Sequence, residues 1–359
     1  MIVYFSVLII ICLICFYDKK GNGVRPLLIS VLLIYLMITL QEGWGGDTKY
    51  YINASEYFYN EGLSYSELQD NDLHGEIGYK MVFTLMPSYM LFQFIFAFFL
   101  CGAIFIVLYK FVPRKYWPLF FVFLFIDKHL LMGDIATLAR NGTAVFLFLF
   151  AVYFLAKGKR PIYVLIILFA SFFHKSALFL LPCVLIPSKS IKIDPAGGAI
   201  TFVFLAVVSA IVPDTWSNLI GSFLSLSDTL DTYSHYIEDE SAHYDLTLVL
   251  PFVIYWGYII LSNHQRKIVL SSEESLFLNF ALITVIFRLL PGFGLSDRLY
   301  FYLNYCFFIG MCILFAKMKQ SDERIVLICS LLFVFGRWFI MFSHSPHFIQ
   351  NWMEYNPIF

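Results

Sequence analysis

Charged residues are scarce in this 359-residue chain. Asp, Glu, Lys and Arg together make up 14% of it, whereas hydrophobic residues make up 60%. A soluble domain has about 25% charged and about 45–50% apolar residues, so the composition excludes an ordinary cytosolic enzyme. A basic excess is also absent, because the net charge is −1, and this argues against a nucleic acid as partner.

Motifs of several enzyme classes are missing as well. The sequence has no GxxxxGK[ST] or GxGxxG for a nucleotide, no HExxH or HxxxH for a metal, and no GxSxG for a serine nucleophile. The seven cysteines lie mostly in apolar runs, with no ligand-like spacing beyond one weak CxxC. They are typical of small core residues, so we expect neither a disulfide framework nor a metal site.

Long apolar runs, in contrast, recur along the whole chain. They predict an all-α fold: a polytopic integral membrane protein with about 12 transmembrane segments, formed as a single membrane domain over 1–359. The predicted segments lie near 2–17, 26–41, 88–109, 117–133, 137–156, 161–173, 175–187, 197–212, 247–262, 275–290, 298–316 and 325–343.

The basic residues predict how these segments are oriented. Alternate connections carry 16 of the 24 Lys and Arg residues, and the positive-inside rule places those connections in the cytoplasm. The first segment has no basic residues before it and no small-residue cleavage site, so we expect a first span rather than a signal peptide. Both termini are then extracytoplasmic, as are the long loops at 42–87 and 213–246.

The stretch 161–187 is too long for one span and short for two, yet basic connections flank both of its ends. A single crossing would violate the positive-inside rule. We therefore predict a hairpin of two short or broken helices, with His174 and Lys175 at its apex. Irregular backbone at membrane depth is tolerated only inside protein or beside a water-filled cavity, so the apex is a candidate site.

The first outer loop contains a predicted amphipathic helix. At helical spacing, Tyr50, Ala54, Tyr57 and Phe58 lie opposite the polar residues of 48–60. Such a helix either anchors in the membrane interface or forms a platform on which a sugar or a prenyl tail stacks. The cytoplasmic connections are short and leave no room for a nucleotide-binding domain, which argues against ATP-driven transport.

Several basic residues do not follow the cytoplasmic pattern. Four are expected at a similar depth near the outer face: Arg140, Lys175, Arg288 and Arg298. A cation within a membrane costs at least about 2.5–3.5 kcal/mol, so each needs a partner or a purpose. Together they suit a phosphate or diphosphate, and the alternative is internal ion pairs such as Arg140 with Asp134. Three others lie in polar surroundings and are expected to be solvated: Lys49, Lys80 and Lys128.

Three residues expected near the same face can accept a proton. His174 lies beside Lys175, where neighbouring cations would favour a neutral imidazole, although a histidine in an apolar stretch is often a satisfied core residue. Asp47 and Glu76 lie in the first outer loop, which can fold over a cavity. The sequence leaves open which of the three is a catalytic base.

These residues also carry a family resemblance. Five short motifs, in this order, are similar to those of the EpsG-like group of Wzy-type bacterial polysaccharide polymerases: Gly-Gly-Asp47, Glu76-Ile-Gly-Tyr79, Leu-Ala-Arg140-Asn-Gly, His174-Lys-Ser-Ala177 and Asp-Arg298-Leu-Tyr-Phe-Tyr. The hairpin motif is the most distinctive. One departure is Asn141, because the family more often has Gln after the corresponding arginine, and this leaves the role of Asn141 open.

The resemblance implies glycosyl transfer at the outer face of the bacterial inner membrane. Such polymerases join oligosaccharide repeat units carried on undecaprenyl diphosphate, need no nucleotide or redox cofactor, and commonly work beside a flippase and a chain-length regulator. The four cations would hold the departing diphosphate, and one of the three proton acceptors would serve as base. Two other functions remain open: a membrane acyltransferase or ligase that modifies surface glycans, and a flippase for the lipid-linked unit.

Overall fold

The computed structural model describes residues 2–17, 24–40, 48–62, 76–126, 138–189, 270–289 and 294–317. All regular secondary structure within these ranges is helical, which confirms the predicted all-helical class for this part of the chain. The described residues belong to two compact units, one covering 2–185 and the other 186–317. The prediction of a single membrane domain over 1–359 is not tested by this division and stays a prediction.

The first unit contains eleven helical elements within its described residues. They are α1 (Ile2–Tyr17), α2 (Arg25–Thr39), α3 (Thr48–Glu61), α4 (Ile77–Leu85), α5 (Tyr89–Phe111), a 3₁₀ turn (Arg114–Tyr116) before α6 (Trp117–Ile126), a π-helix (Leu138–Gly142) before α7 (Thr143–Ala156), and α8 (Arg160–Ala170). A second 3₁₀ helix, Lys175–Leu185, follows.

Apart from α3 and α4, these helices lie within or close to predicted apolar segments. Among the described residues, α5 alone is long and apolar enough to cross a membrane by length and composition, and the shorter apolar helices include α2, α8 and the 3₁₀ helix Lys175–Leu185. The predicted segments at 197–212, 247–262 and 325–343 lie outside the described residues. The predicted number of spans and the position of the termini therefore stay predictions.

Local sequence signals set several helix boundaries. Pro26 and Pro161 lie in the first turns of α2 and α8, where a missing N–H costs nothing. The Ser88 hydroxyl caps α5 by accepting a hydrogen bond from the backbone N–H of Leu91. At its other end α5 stops before Pro113, because the residue before a proline is disfavoured in helical conformation.

The first unit gathers basic residues at one end. The side-chain amide of Gln93, near the start of α5, donates to the carbonyl of Ile38 at the end of α2, so these two helices are antiparallel. At the opposite end of α5, the Phe111 ring lies 6.0 Å from the Tyr153 ring and 5.8 Å from Nζ of Lys157. We call this the basic end; its residues are Arg25, Lys110, Arg114, Lys115, Lys157, Lys159 and Arg160.

The hairpin region has the break that the sequence predicts. Helix α8 ends at Ala170, a turn covers 171–174, and the 3₁₀ helix begins at Lys175. The Tyr163 hydroxyl donates to the carbonyl of Leu180 at 2.8 Å, so the two arms lie side by side. Pro182 has no N–H to continue α-helical bonding in the second arm. The sequence also predicts that the ends of the two arms away from the apex lie on the cytoplasmic side, and this stays a prediction.

The outer-loop helix is confirmed as α3, and its predicted apolar face is confirmed in part. Ala54 and Phe58 are buried as predicted, whereas Tyr57 is 42% exposed and Tyr51, which was not predicted on this face, is buried. The reason is that α3 packs on α4 and on the start of α5: the Tyr51 ring stacks on Tyr89 and meets the edge of Tyr79. Helix α4 itself, inside the same predicted loop, was not predicted.

The second unit contains two antiparallel helices in its described residues, α9 (Ser272–Leu289) and α10 (Gly294–Lys317). Ser271 and Glu274 form a capping box at the start of α9, each side chain accepting the other residue's backbone N–H. Lys317 Nζ lies 2.9 Å from Glu274 Oε1, which joins the end of α10 to the start of α9. A Cβ at Gly310 would lie 2.8 Å from the Phe277 carbonyl, so the two helices need a glycine at this crossing.

Candidate functional site

Three segments of the first unit meet at the Glu76 carboxylate. Its Oε2 accepts from Nε of Arg140 at 2.6 Å, and its Oε1 lies 2.9 Å from Nδ1 of His174. The backbone N–H of Lys175 donates to Oε1 at 3.2 Å. We call Glu76, Arg140, His174 and Lys175 the Glu76 cluster. All four were predicted as site residues, and the structure brings them together.

A glycine lets α4 approach the hairpin closely enough for these contacts. The backbone N–H of Gly78 donates to the carbonyl of Phe172 at 2.8 Å. A Cβ at Gly78 would lie only 2.6 Å from that carbonyl oxygen and 2.8 Å from its carbon. Because backbone atoms cannot move aside as a flexible side chain can, this position requires glycine. The contact places Glu76 opposite His174 at the hairpin apex.

Aromatic side chains support α4 from its other side. The Tyr79 ring makes edge contacts with Tyr51 and Phe83, at centroid distances of 5.8 and 5.5 Å. Phe83 in turn contacts Phe92 on α5 at 5.1 Å. All four rings are buried. Aromatic pairs of this geometry add about 0.5–1.5 kcal/mol each beyond buried area, so α4 is held firmly between α3, α5 and the hairpin.

Arg140 lies in the π-helix that precedes α7. Wider turns of this kind occur mostly as single-turn insertions in α-helices, frequently at functional sites. The Arg140 side chain is 31% exposed, whereas that of its partner Glu76 is 5% exposed. From the sequence, the alternative to anion binding was an ion pair between Arg140 and Asp134, but Asp134 lies outside the described residues. In the structure, Arg140 forms its ion pair with Glu76.

The cluster combines one buried anion with two strongly basic side chains. Burial alone would raise the pKa of the Glu76 carboxyl, but the hydrogen bond from His174 and the charges of His174 and Arg140 hold that pKa well below its usual range. Glu76 is therefore ionised at neutral pH. Arg140 and the half-buried Lys175 give the cluster two basic side chains for its one carboxylate.

The ionised carboxylate also fixes the role of the bonded histidine nitrogen. A carboxylate only accepts hydrogen bonds, so Nδ1 of His174 must carry the proton that points to Glu76. The His174 side chain is 5% exposed, so the imidazole is held inside the protein. Within the described residues, no three His, Cys, Asp or Glu side chains come together as a metal-binding group.

The remaining predicted site residues are not placed against this cluster. Asp47 lies outside the described residues. Arg288 is in α9 and Arg298 is in α10, both in the second unit, but their side chains lie outside the described residues. The roles proposed for these three residues from the sequence stay predictions.

One basic residue near the cluster was misplaced by sequence reasoning. Lys80 was expected to be solvated, but it is 3% exposed, because α4 is packed on both sides. Burial lowers the pKa of the Lys80 ammonium group, and the Glu76 carboxylate partly offsets that effect. The spacing of Glu76 and Lys80, four residues apart at the start of a helix, is the signal that would have revealed this neighbour.

Comparison with known proteins gives one match. The model of the EpsG family matches residues 24–357, a range that contains the whole Glu76 cluster and both helices of the second unit. Comparisons with curated proteins and with solved structures gave no match. The family identified by the five sequence motifs is thus the family whose model covers nearly the entire chain.

Proposed function

The chain belongs to the EpsG family, and we propose that it polymerises undecaprenyl-diphosphate-linked oligosaccharide repeat units at the outer face of the bacterial inner membrane. Members of this family are membrane proteins of polysaccharide biosynthesis and are glycosyltransferase-like polymerases. Beyond what the family assignment supports, the proposal adds the lipid diphosphate donor, the location in the inner membrane and the multi-pass topology.

The Glu76 cluster is the observation that carries this proposal. A guanidinium has five N–H donors in a planar fork, and Glu76 occupies only the Nε donor of Arg140. The terminal NH₂ groups match the geometry of phosphate oxygens, and Lys175 adds a second positive charge at the hairpin apex. The partly exposed Arg140 side chain beside a buried acid is thus suited to a mobile diphosphate.

The proposed reaction is a direct displacement at the anomeric carbon of the growing chain. The acceptor hydroxyl oxygen forms the new bond to this carbon, and the bond from the carbon to the lipid diphosphate breaks. The electron pair leaves on the diphosphate oxygen, and a base takes the acceptor proton. Fixed cations stabilise the charge that develops on the leaving group, because they need no reorganisation during the reaction.

The two ends of the first unit support the proposed orientation. Basic residues from three connections gather at one end, as expected for a cytoplasmic face. Within the described residues of this unit, the three acidic residues are Glu56, Glu61 and Glu76, which lie in α3 or just before α4. We propose that α3, α4 and the Glu76 cluster face the extracytoplasmic side, where a flipped lipid-linked unit is available.

The test is polymerisation by the purified protein. The full chain in detergent or vesicles is incubated with a lipid-diphosphate-linked repeat unit, without nucleotide, and the product is separated by glycan length. We expect a ladder with the unmodified protein and its loss in Arg140→Ala. The matched control is Arg160→Ala, an exposed arginine at the basic end, which should retain the ladder.

Other outcomes distinguish the remaining functions. Transfer of the intact lipid-linked unit across vesicle membranes without chain growth would indicate a flippase and contradict the proposal. Acylation of a surface glycan without chain growth would indicate an acyltransferase. We further propose that a flippase and a chain-length regulator work beside this protein in the cell, and co-purification of these proteins with the unmodified chain would support it.

A further inference from the structure

We infer that Glu76 and His174 are positioning residues, which hold Arg140 and the hairpin apex against the lipid diphosphate, and that neither of them accepts the proton of the acceptor sugar. This inference rests on the proposed function, because it assigns roles within that reaction. It excludes Glu76 and His174 as the catalytic base, whereas the sequence alone leaves both of them and Asp47 as candidates.

Accessibility separates the members of the cluster. The Glu76 and His174 side chains are each 5% exposed, whereas Arg140 is 31% exposed. A general base must come within about 2.6–3.2 Å of the proton that it removes, directly or through one water. A sugar hydroxyl on a large lipid-linked substrate can reach the exposed part of Arg140, whereas the carboxylate and the imidazole are buried.

The bonding of Glu76 also argues against a role as base. Both of its oxygens accept hydrogen bonds, from Arg140, His174 and the backbone of Lys175. Taking a proton would remove the charge that strengthens these bonds, and a carboxylate with a depressed pKa is a weak proton acceptor. The same three bonds are what a positioning residue needs, since they join α4, the π-helix and the hairpin at one point.

The joined groups are those that suit a diphosphate. Glu76 fixes one edge of the Arg140 guanidinium, which leaves the terminal NH₂ groups to bind oxygens in a set direction. It also holds the backbone at Lys175, where the 3₁₀ helix begins, and so anchors the base of that side chain at the hairpin apex. Preorganised donors of this kind contribute more than mobile ones because their orientation is set before the substrate binds.

Substitutions at His174 separate positioning from proton transfer. His174→Asn keeps an N–H donor at the same distance along the side chain as Nδ1 but cannot take up a proton, whereas His174→Ala has neither property. For a positioning role, we expect His174→Asn to retain turnover within about 10-fold of the unmodified protein with the same pH profile, and His174→Ala to lose about 100-fold. If His174→Asn is as inactive as His174→Ala, or loses one limb of the pH profile, the inference is wrong.

Substitution at Glu76 tests the other half of the inference. Glu76→Gln keeps the shape of the side chain and removes its charge. We expect it to lower kcat/KM for the lipid-linked donor with an unchanged pH profile, because the cations that hold the diphosphate are less well positioned. Loss of one limb of the pH profile would identify Glu76 as the base and overturn the inference.

A direct binding measurement distinguishes failure of the positioning role from failure of the proposed function. Undecaprenyl diphosphate alone is titrated against the unmodified protein, Glu76→Gln and the control Arg160→Ala. We expect about 10- to 100-fold weaker binding for Glu76→Gln and no change for the control. If the unmodified protein binds this lipid but never extends a glycan, the proposed function fails while the positioning role stands; if Glu76→Gln binds as tightly as the unmodified protein, the positioning role fails.

Discussion

A single carboxylate joins the three segments of the candidate site. Glu76 is 64 residues from Arg140 and 98 from His174 along the chain, yet all three side chains are in contact. Removing one partner of such a buried network typically costs about 3–5 kcal/mol, because an uncompensated charge is left in a poorly solvated place. The cluster therefore contributes to the stability of the folded structure.

The close approach at Gly78 gives a prediction for one residue. In Gly78→Ala the new methyl group would lie 2.6 Å from the Phe172 carbonyl oxygen, so α4 must move away from the hairpin. We expect a loss of about 1–3 kcal/mol of stability from overpacking. We also expect a loss of about 100-fold in polymerisation, because the movement of α4 shifts Glu76 away from its partners in the cluster. Thermal melting and the glycan ladder measure the two effects.

Gly102 provides the matched control for this substitution. It lies inside α5, and a Cβ there would have no neighbour within 4 Å. Gly102→Ala should keep full activity and gain about 0.5–1 kcal/mol, because alanine favours the helix more than glycine does. Equal tolerance of Gly78→Ala and Gly102→Ala would contradict the account of how α4 is positioned.

The pKa of Glu76 predicts a pH dependence of stability. Its folded-state pKa is depressed, so the ionised carboxylate stabilises the folded chain above the unfolded pKa of about 4.3, and this contribution is lost as pH falls toward the folded value. Glu76→Gln should therefore melt at a lower temperature than the unmodified protein at pH 7. The difference should narrow below about pH 4. A difference that stays constant from pH 7 to pH 3 would show that the charge of Glu76 is not what stabilises the fold.

Sequence reasoning identified the members of the cluster but not their pairing. A polar group in an apolar stretch needs a partner, and for this reason the sequence identifies Arg140, His174 and Lys175 as candidate site residues. Which partner each one takes depends on contacts between distant segments, so Arg140 was assigned to the nearby Asp134 as the alternative to anion binding. Glu76 was recognised only as a possible base, since its hydrogen bonds exist only in the folded chain.

At the scale of elements, the hairpin is the least regular part of the described first unit. A helix, a turn and a 3₁₀ helix succeed one another over 160–185. Runs of 3₁₀ helix longer than three or four residues are uncommon because their hydrogen bonds have poorer geometry. The second arm therefore depends on tertiary contacts, among them the bond from Tyr163 to Leu180.

Removing that hydroxyl tests how the two arms are held together. Tyr163→Phe keeps the ring but removes the donor to the Leu180 carbonyl, and we expect a loss of about 1–3 kcal/mol. Tyr109→Phe is the control, because Tyr109 is 59% exposed and should tolerate the same change. Both are measured by thermal melting in the same detergent. Unchanged melting of Tyr163→Phe would show that the bond does not stabilise the hairpin.

The elements were predicted well where an apolar run defines them. The runs at 2–17, 26–41 and 88–109 became α1, α2 and α5, with ends shifted by only one or two residues. Helix α4 was not predicted, since its nine residues are too few for a span and include Gly78 and Lys80. The buried face of α3 was predicted only in part, because contacts with α4 and α5 bury Tyr51 and leave Tyr57 exposed.

The whole first unit has two chemically different ends. Contacts along α2, α5 and α7 place seven Lys and Arg residues together at the basic end, and the Glu76 cluster joins the segments that precede α5 and α7. That the basic end faces the cytoplasm stays a proposal.

Labelling of single cysteines tests this orientation. In right-side-out membrane vesicles, Asn60→Cys on the exposed side of α3 should react with an impermeant maleimide. Lys159→Cys at the basic end should react only after the membrane is permeabilised. The native Cys101, Cys183 and Cys312 are buried and should react slowly in either case. Reaction of Lys159→Cys in sealed vesicles would invert the proposed topology.

The stoichiometry of lipid release during chain growth tests the proposed polymerisation. The purified chain is given a lipid-diphosphate-linked repeat unit, and glycosidic bonds formed and undecaprenyl diphosphate released are counted in the same reaction. We expect one lipid diphosphate for each new bond, with both quantities lost in Arg140→Ala and kept in Arg160→Ala. Chain growth that persists in Arg140→Ala, or lipid release without new bonds, would contradict the proposal.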